Sequence, residues 1–273
     1  MSEYVGRIVL NEYLEELESF HGGWLEGVIH SSRCPGDKVE NEDSVGLMIF
    51  EDFALAVVSD GLGGHKGGAA ASKLAVGTLN QAALHWRKQD PKERIERREM
   101  ILQAIESAHA EIKAMGIGAG TTISVAEVTS SWVRFYSLGD SFGLLMGGMG
   151  TLKFKNVEHS PVGYCLEAGA ITEDDVIGHP ASGVVLNALG IDPIRMEISQ
   201  ELELAKRDHI LLASDGLTDN LKHSVICEDL RRGSMEEKMA KLVDGAHLQM
   251  SKDKGKPDDL TMVLIRLADE EGA

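Results

Sequence analysis

The chain has 273 residues, 43% hydrophobic, 26% charged and 5% aromatic, which fits one globular domain spanning 1–273 and excludes disordered and fibrous classes. Forty-four acidic side chains against 27 basic ones leave a net charge of −17, so general attraction to nucleic acid or to an anionic membrane surface is disfavoured. No apolar run approaches the roughly 20 residues that span a bilayer, and Cys34, Cys165 and Cys227 are too few and scattered for a disulfide framework. The expectation is a cytoplasmic monomer whose cysteines are free thiols in or near the core.

Residues 1–20 mix Glu3, Glu12, Glu15, Glu16 and Glu18 with apolar side chains. They read as a helix packed on the domain or as an extension that binds a partner. Short β-type runs follow at Trp24–His30, Val45–Phe50 and Phe53–Val58. The Ala- and Leu-rich segment Lys73–Trp86 and the helical spacing of Ile101, Leu102, Ile105, Ala108, Ile112 and Met115 predict two long helices within 67–115, broken near Asp90–Pro91. Further strands are expected at Thr121–Val128, Trp132–Leu138, Phe142–Met146 and Leu152–Lys155, with Met146–Gly150 as a hairpin turn. Residues 156–206, rich in Gly, Pro and acidic side chains, read as an irregular excursion over one sheet edge, a flap whose return is marked by Asn187–Gly190. His209–Ala213 and Leu260–Leu267 complete the strands, and Met235, Met239, Leu242, Val243 and Ala246 form the apolar stripe of a third long helix. Close spacing of strands implies antiparallel hairpins, and grouped strands with grouped helices imply an α+β protein in which helices cover antiparallel sheets.

The informative residues are carboxylates at strand ends. Asp43 precedes one strand, Asp60-Gly61 ends the next, Gly139-Asp140-Ser141 separates two more, Asp215-Gly216 ends Ile210–Ser214, and Asp258-Asp259 opens the last. An apolar strand ending in Asp-Gly can place a carboxylate at a sheet rim while Gly lets the backbone turn and present its carbonyl oxygen. Each Asp alone is most simply a turn former; together they suit hard divalent cations, which take oxygen ligands and keep several waters. Two such ions about 3.5–4 Å apart acidify a shared water and stabilise charge on a transferring phosphoryl group, which suggests phosphate-ester hydrolysis.

Competing phosphate chemistries fail on spacing. In Asp60–Gly68 the Lys66 side chain stands between His65 and Gly67, so neither the Walker order nor the dinucleotide fingerprint is met. No cysteine has Arg six residues downstream, and no Asp-x-Asp pair exists for an aspartyl-phosphate route.

Asn41-Glu42-Asp43-Ser44, Asp60-Gly61-Leu62-Gly63-Gly64-His65, Gly120-Thr121-Thr122, Gly139-Asp140-Ser141, Ser214-Asp215-Gly216-Leu217 and Asp258-Asp259-Leu260-Thr261 resemble, in order, the motifs of metal-dependent protein serine/threonine phosphatases (the PPM, or protein phosphatase 2C, family), especially the compact bacterial type. The resemblance runs from about Trp24 to Leu267. It implies a four-layer α-β-β-α sandwich, with a flap within 156–198 that influences substrate choice. It also implies two Mg²⁺ or Mn²⁺ ions bridged by Asp60, with the Gly61 carbonyl, Asp43 acting through water, Asp215 and Asp258 completing the centre, and Asp140 with Asp215 holding a third, weaker ion. Phosphorylated proteins would be the substrates, cleaved by a metal-activated water.

Three positions depart from the family pattern. Lys38 stands where relatives carry a phosphate-contacting Arg, so either Lys38 or Arg33 is expected to hold the phosphate. Asp259 replaces a common Asn, and Leu62 replaces the proposed acid histidine of animal members. His65 is then a candidate general acid; the rival readings are a surface histidine at a helix start and a metal-bound water as the proton source. Lys38 and Asp259 also leave open a non-catalytic relative that binds phosphoproteins, and a third reading is a phosphatase dedicated to one regulatory protein.

Overall fold

The computed structural model describes residues 4–36, 40–62, 67–90 and 95–268. Strands β1 (Val5–Leu10), β2 (Glu18–His21), β3 (Leu25–Ser32), β4 (Asp43–Ile49) and β5 (Ala54–Asp60) lead into helices α1 (Gly68–Lys88) and α2 (Arg97–Ala114). Then come β6 (Ile123–Val128), β7 (Trp132–Leu138), β8 (Phe142–Met146) and β9 (Leu152–Lys155). Short helices α3 (Pro161–Glu167) and α4 (Glu173–Val176) and the strands β10 (Glu197–Ile198) and β11 (Leu202–Glu203) precede β12 (His209–Ala213), α5 (Asp215–Thr218), α6 (His223–Asp229), α7 (Met235–Met250) and β13 (Leu260–Leu267).

The strands form two sheets, antiparallel throughout. One runs β1-β4-β5-β6-β7-β10 with β11 also on β7; the other runs β2-β3-β13-β12-β8-β9. Successive side chains of a strand point to opposite faces, and here both faces are covered. In β5, Ala54, Ala56 and Val58 enter the seam between the sheets, while Leu55 and Val57 pack against Ala75, Leu79, Ile101 and Ile105 of the helices. In β13, Val263 and Ile265 enter the same seam, and Met262 and Leu264 meet Met239, Leu242 and Ala246 of α7. Three buried layers of side chains between four layers of backbone follow from this alternation, as the sandwich reading expects. Each fully buried aliphatic side chain contributes about 1.5–3 kcal/mol, which makes the central strands near-continuous apolar runs. Helix α7 is set by a capping box: Glu237 N–H donates to Ser234 Oγ (3.2 Å), and Ser234 N–H donates to Glu237 Oε2 (2.9 Å).

Several expectations are corrected. Residues 5–10 and 18–21 are strands, not a helix or a free extension: β1 pairs with β4, placing Val9 opposite Val45, and β2 pairs with β3. The β-branched run Val5–Leu10 completes the first sheet, and Glu12, Glu15 and Glu16 lie in the connection to β2. The stretch 156–206 is less irregular than its composition suggests, since it carries α3, α4, β10 and β11, the last two extending the β7 edge. All three cysteines are free, but Cys165 is exposed on α3 and only Cys34 and Cys227 are half-buried. The turn after Met146 is the expected hairpin, joining β8 to β9 with Gly150 at φ 87°.

Two buried histidines give the fold a pH dependence. Burial first, then His247, pushes His30 down to about 4; burial, then the Lys238 ammonium, does the same to His209, whose Nε2 lies 2.7 Å from Lys238 Nζ. The unfolded chain protonates these rings near 6.5 while the folded chain does not until about 4, so stability is lost as pH falls through that window. Each ring accounts for about 2–3 kcal/mol at most. Urea unfolding at pH 7 and pH 5 should show His209→Gln losing less stability between the two than the parent; an equal loss would contradict the assignment.

Candidate metal and active site

The ends of four strands set the site. Asp43 opens β4 and Asp60 closes β5, and the two are direct cross-strand partners. On the other sheet, Asp215 follows β12 and Asp258 stands two residues before β13, which pairs with β12. Asp140 lies between β7 and β8. A cavity of about 470 Å³ opens at this pole, lined by Asp60, Gly61, Asp140, Asp215 and Asp258, with Glu42, Leu62, Thr122 and Lys256, and walled on one side by Gly183, Val184, Val185 and Ile191. The structure therefore brings together Asp60, Gly61, Asp140, Asp215 and Asp258 as the sequence suggested, with Asp43 buried beside Asp60. The returning segment after Val185 is tied to the Asp140 loop through His159: Gly139 N–H donates to Nδ1 (3.2 Å), as does Asn187 Nδ2 (2.8 Å).

Hydroxyls lock the Asp60 backbone. Asp60 N–H donates to Thr122 Oγ1 (3.0 Å), and the Asp60 carbonyl accepts from Thr122 N–H (2.8 Å) and Thr121 Oγ1 (2.6 Å). Thr122 Oγ1 also contacts Ser141 Oγ at 2.5 Å, which joins the Gly-Thr-Thr motif to the Gly-Asp-Ser motif. Gly61 is required by close approach: a Cβ there would stand 2.4 Å from Gly68 backbone atoms and 2.7 Å from the Glu42 carbonyl oxygen.

Electrostatics at the pole favour a bound cation. Burial first, then Asp43, Asp215, Asp258 and Asp140, hold the Asp60 carboxyl well above its usual range. Burial first, then Asp259, raises Asp43, although hydroxyls of Thr261 and Ser214 oppose the shift. Burial, followed by Asp215, Glu158 and Asp219, raises Asp140. Among the described residues Asp43 Oδ2 is buried with no hydrogen-bond partner, an unusual cost for a carboxylate. An all-oxygen set in which like charges repel and one buried oxygen is orphaned fits hydrated Mg²⁺ or Mn²⁺. Among the described residues no three His, Cys, Asp or Glu side chains are already gathered closely enough to hold an ion by themselves.

Two residues that the strand-end pattern missed share this pole. Asp219 lies four residues after Asp215, one helical turn on, where i and i+4 meet. Lys256 Nζ lies 2.7 Å from Asp215 Oδ2, 2.6 Å from Asp219 Oδ2 and 3.3 Å from Asp258 Oδ2. Burial disfavours its ammonium, yet Asp215, Asp219 and Asp258 outweigh that and raise its pKa. Asp259 is not among the cavity-lining residues: its carboxylate accepts from Cys34 N–H (2.7 Å) and Glu42 N–H (2.8 Å), bracketing the loop between β3 and β4. The Arg33 guanidinium stands 4.7 Å over the Tyr13 ring and is not among the cavity-lining residues. Lys38 and His65 lie outside the described residues. No helix among the described residues is long and apolar enough to cross a membrane.

The profile of the family described as protein phosphatase 2C matches residues 33–260. The serine/threonine phosphatase stp of Listeria welshimeri is 31% identical over 235 residues, covering 82% of this chain and 89% of the relative. The serine/threonine phosphatase PstP/Ppp of Mycobacterium tuberculosis superposes with a TM-score of 0.73 at 25% identity, covering 90% of this chain and 100% of the other. The catalytic domain of PstP in complex with two manganese ions gives 0.71 at 25% identity, with 90% and 99% covered.

Proposed function

The chain belongs to the protein phosphatase 2C family, and from that premise we propose how its own residues serve the metal-dependent hydrolysis of phosphoserine and phosphothreonine in proteins. The observation that carries the proposal is the convergence of Asp60, Asp140, Asp215 and Asp258 from both sheets on one cavity, with an orphaned Asp43 oxygen behind them. Asp60, Asp215, Asp258 and the Gly61 carbonyl would hold two Mg²⁺ or Mn²⁺ ions, with Asp43 contributing through water, and Asp140 with Asp215 would hold a third. Such ions, when bound, acidify water and stabilise charge on a phosphoryl group in flight.

The rest falls to side chains. Lys38, or Arg33 if its guanidinium leaves the Tyr13 ring, holds the phosphate as a point charge or fork, and His65 gives a proton to the departing serine or threonine oxygen. Thr121 and Thr122 keep the Asp60 backbone from shifting as charge redistributes, a form of preorganisation. Residues 156–198 act as the flap that meets the substrate protein, and 1–273 is one phosphatase domain acting as a cytoplasmic monomer.

Metal-stripped protein should release no phosphate from p-nitrophenyl phosphate or a phosphothreonine peptide, and Mn²⁺ or Mg²⁺ should restore release. Turnover that persists in EDTA would overturn the proposal.

A further inference from the structure

The ammonium of Lys256 sits where the proposed metal ligands face one another, and it engages the Oδ2 atoms of both Asp215 and Asp258. Its backbone cannot easily retreat, because Lys256 N–H donates to Asn220 Oδ1 (3.0 Å) and its carbonyl accepts from Asn220 Nδ2 (2.9 Å). Only the flexible side chain is free to move. Asp219 offers that side chain a third carboxylate at 2.6 Å, and Asp219 is not one of the proposed metal ligands.

A carboxylate oxygen turned toward an ammonium at 2.7 Å must give up or share that bond to bind a divalent ion at about 2.0–2.2 Å. We propose that Lys256 is a resident counter-cation that competes with the divalent ion for Asp215 and Asp258 and so sets the metal concentration at which the centre loads. In the loaded enzyme the ammonium stays tethered to Asp219 while Asp215 and Asp258 turn to the metal. The inference rests on the metal-centre reading given above.

Calorimetric titration of EDTA-stripped protein with Mn²⁺ tests it. Releasing one or two charge-assisted hydrogen bonds should let Lys256→Met bind Mn²⁺ about tenfold more tightly or better. Lys256→Arg, which keeps the charge, should bind no more tightly than the parent. Lys153→Met removes a charge on β9 that is paired with Asp208 and lies outside the cavity lining, and should change affinity by less than about twofold. Stripped Lys256→Met should also melt below the stripped parent, and Mn²⁺ should close the gap. If the variant folds only with metal, chelator competition on the loaded protein reads the same affinity. Equal or weaker Mn²⁺ affinity in Lys256→Met, or an equal gain in Lys153→Met, overturns the proposal. Absence of Mn²⁺ binding in parent and variant alike would instead overturn the metal centre itself, and this inference with it.

Discussion

Asn in place of Asp60 should lower kcat/KM for a phosphothreonine peptide by at least about 10³-fold, because removing one preorganised electrostatic group from a transition-state site already costs 10²–10³ and this carboxylate is proposed to serve two ions at once. The substitution is isosteric. The backbone bonds that fix the position, to Thr121 and Thr122, run through main-chain atoms and survive it. Fold and activity should therefore separate. Burial and the crowding of Asp43, Asp215, Asp258 and Asp140 raise the Asp60 pKa, so ionising it near neutral pH opposes folding in the metal-free state. Stripped Asp60→Asn should accordingly melt higher than the stripped parent, by about 2–4 °C for each kcal/mol of repulsion relieved. Differential scanning calorimetry in EDTA with a phosphate-release assay in Mn²⁺ tests both halves. A variant that keeps full rate, or that melts lower without metal, would refute the account.

The second large effect concerns Gly216. A Cβ at this position would stand 2.1 Å from the Asp259 carbonyl oxygen and 3.1 Å from its carbon, both backbone atoms that no rotamer change can move. Gly216→Ala must therefore prise α5 away from the start of β13. That contact is stitched by Ser214 N–H to the Thr261 carbonyl (2.9 Å) and Thr261 N–H to Ser214 Oγ (3.0 Å). Overpacking against fixed backbone typically costs 1–3 kcal/mol, and breaking these bonds adds to it, so a loss of about 3 kcal/mol or more is expected. Because Asp215 and Asp258 flank this contact, Mn²⁺ affinity should fall together with stability. Urea unfolding in EDTA and Mn²⁺ titration are the measurements; a loss below about 1 kcal/mol with unchanged affinity would show that the junction yields freely.

What could be read from the residues alone follows from range. The carboxylates at strand ends were legible because each sits beside an uninterrupted apolar run, and those runs are uninterrupted because β4, β5, β12 and β13 are covered on both faces. The hairpin at Gly147–Gly150 and the α7 stripe were legible for equally local reasons. The N-terminal strands were not, since the five glutamates of residues 1–20 outweigh the short Val5–Leu10 run until β4 supplies a partner. Lys256 was invisible for a different cause. Its neighbours Asp215 and Asp219 are about forty residues away, and only the return of the chain from α7 into β13 brings them within reach. Asp219 carried a weak local signal, the i+4 spacing from Asp215 on one short helix.

The four central carboxylates come in two pairs, one from each hydrogen-bonded ladder. An ion held among them, as proposed, would be a rivet through both plies of the sandwich, and its grip would register their alignment as a vernier registers a small slip. Leu47 and Ile265, fully buried in the seam and far along their strands from the pole, are placed to shift that alignment. Reshaping either should then shift the affinity for metal while every proposed ligand keeps its identity.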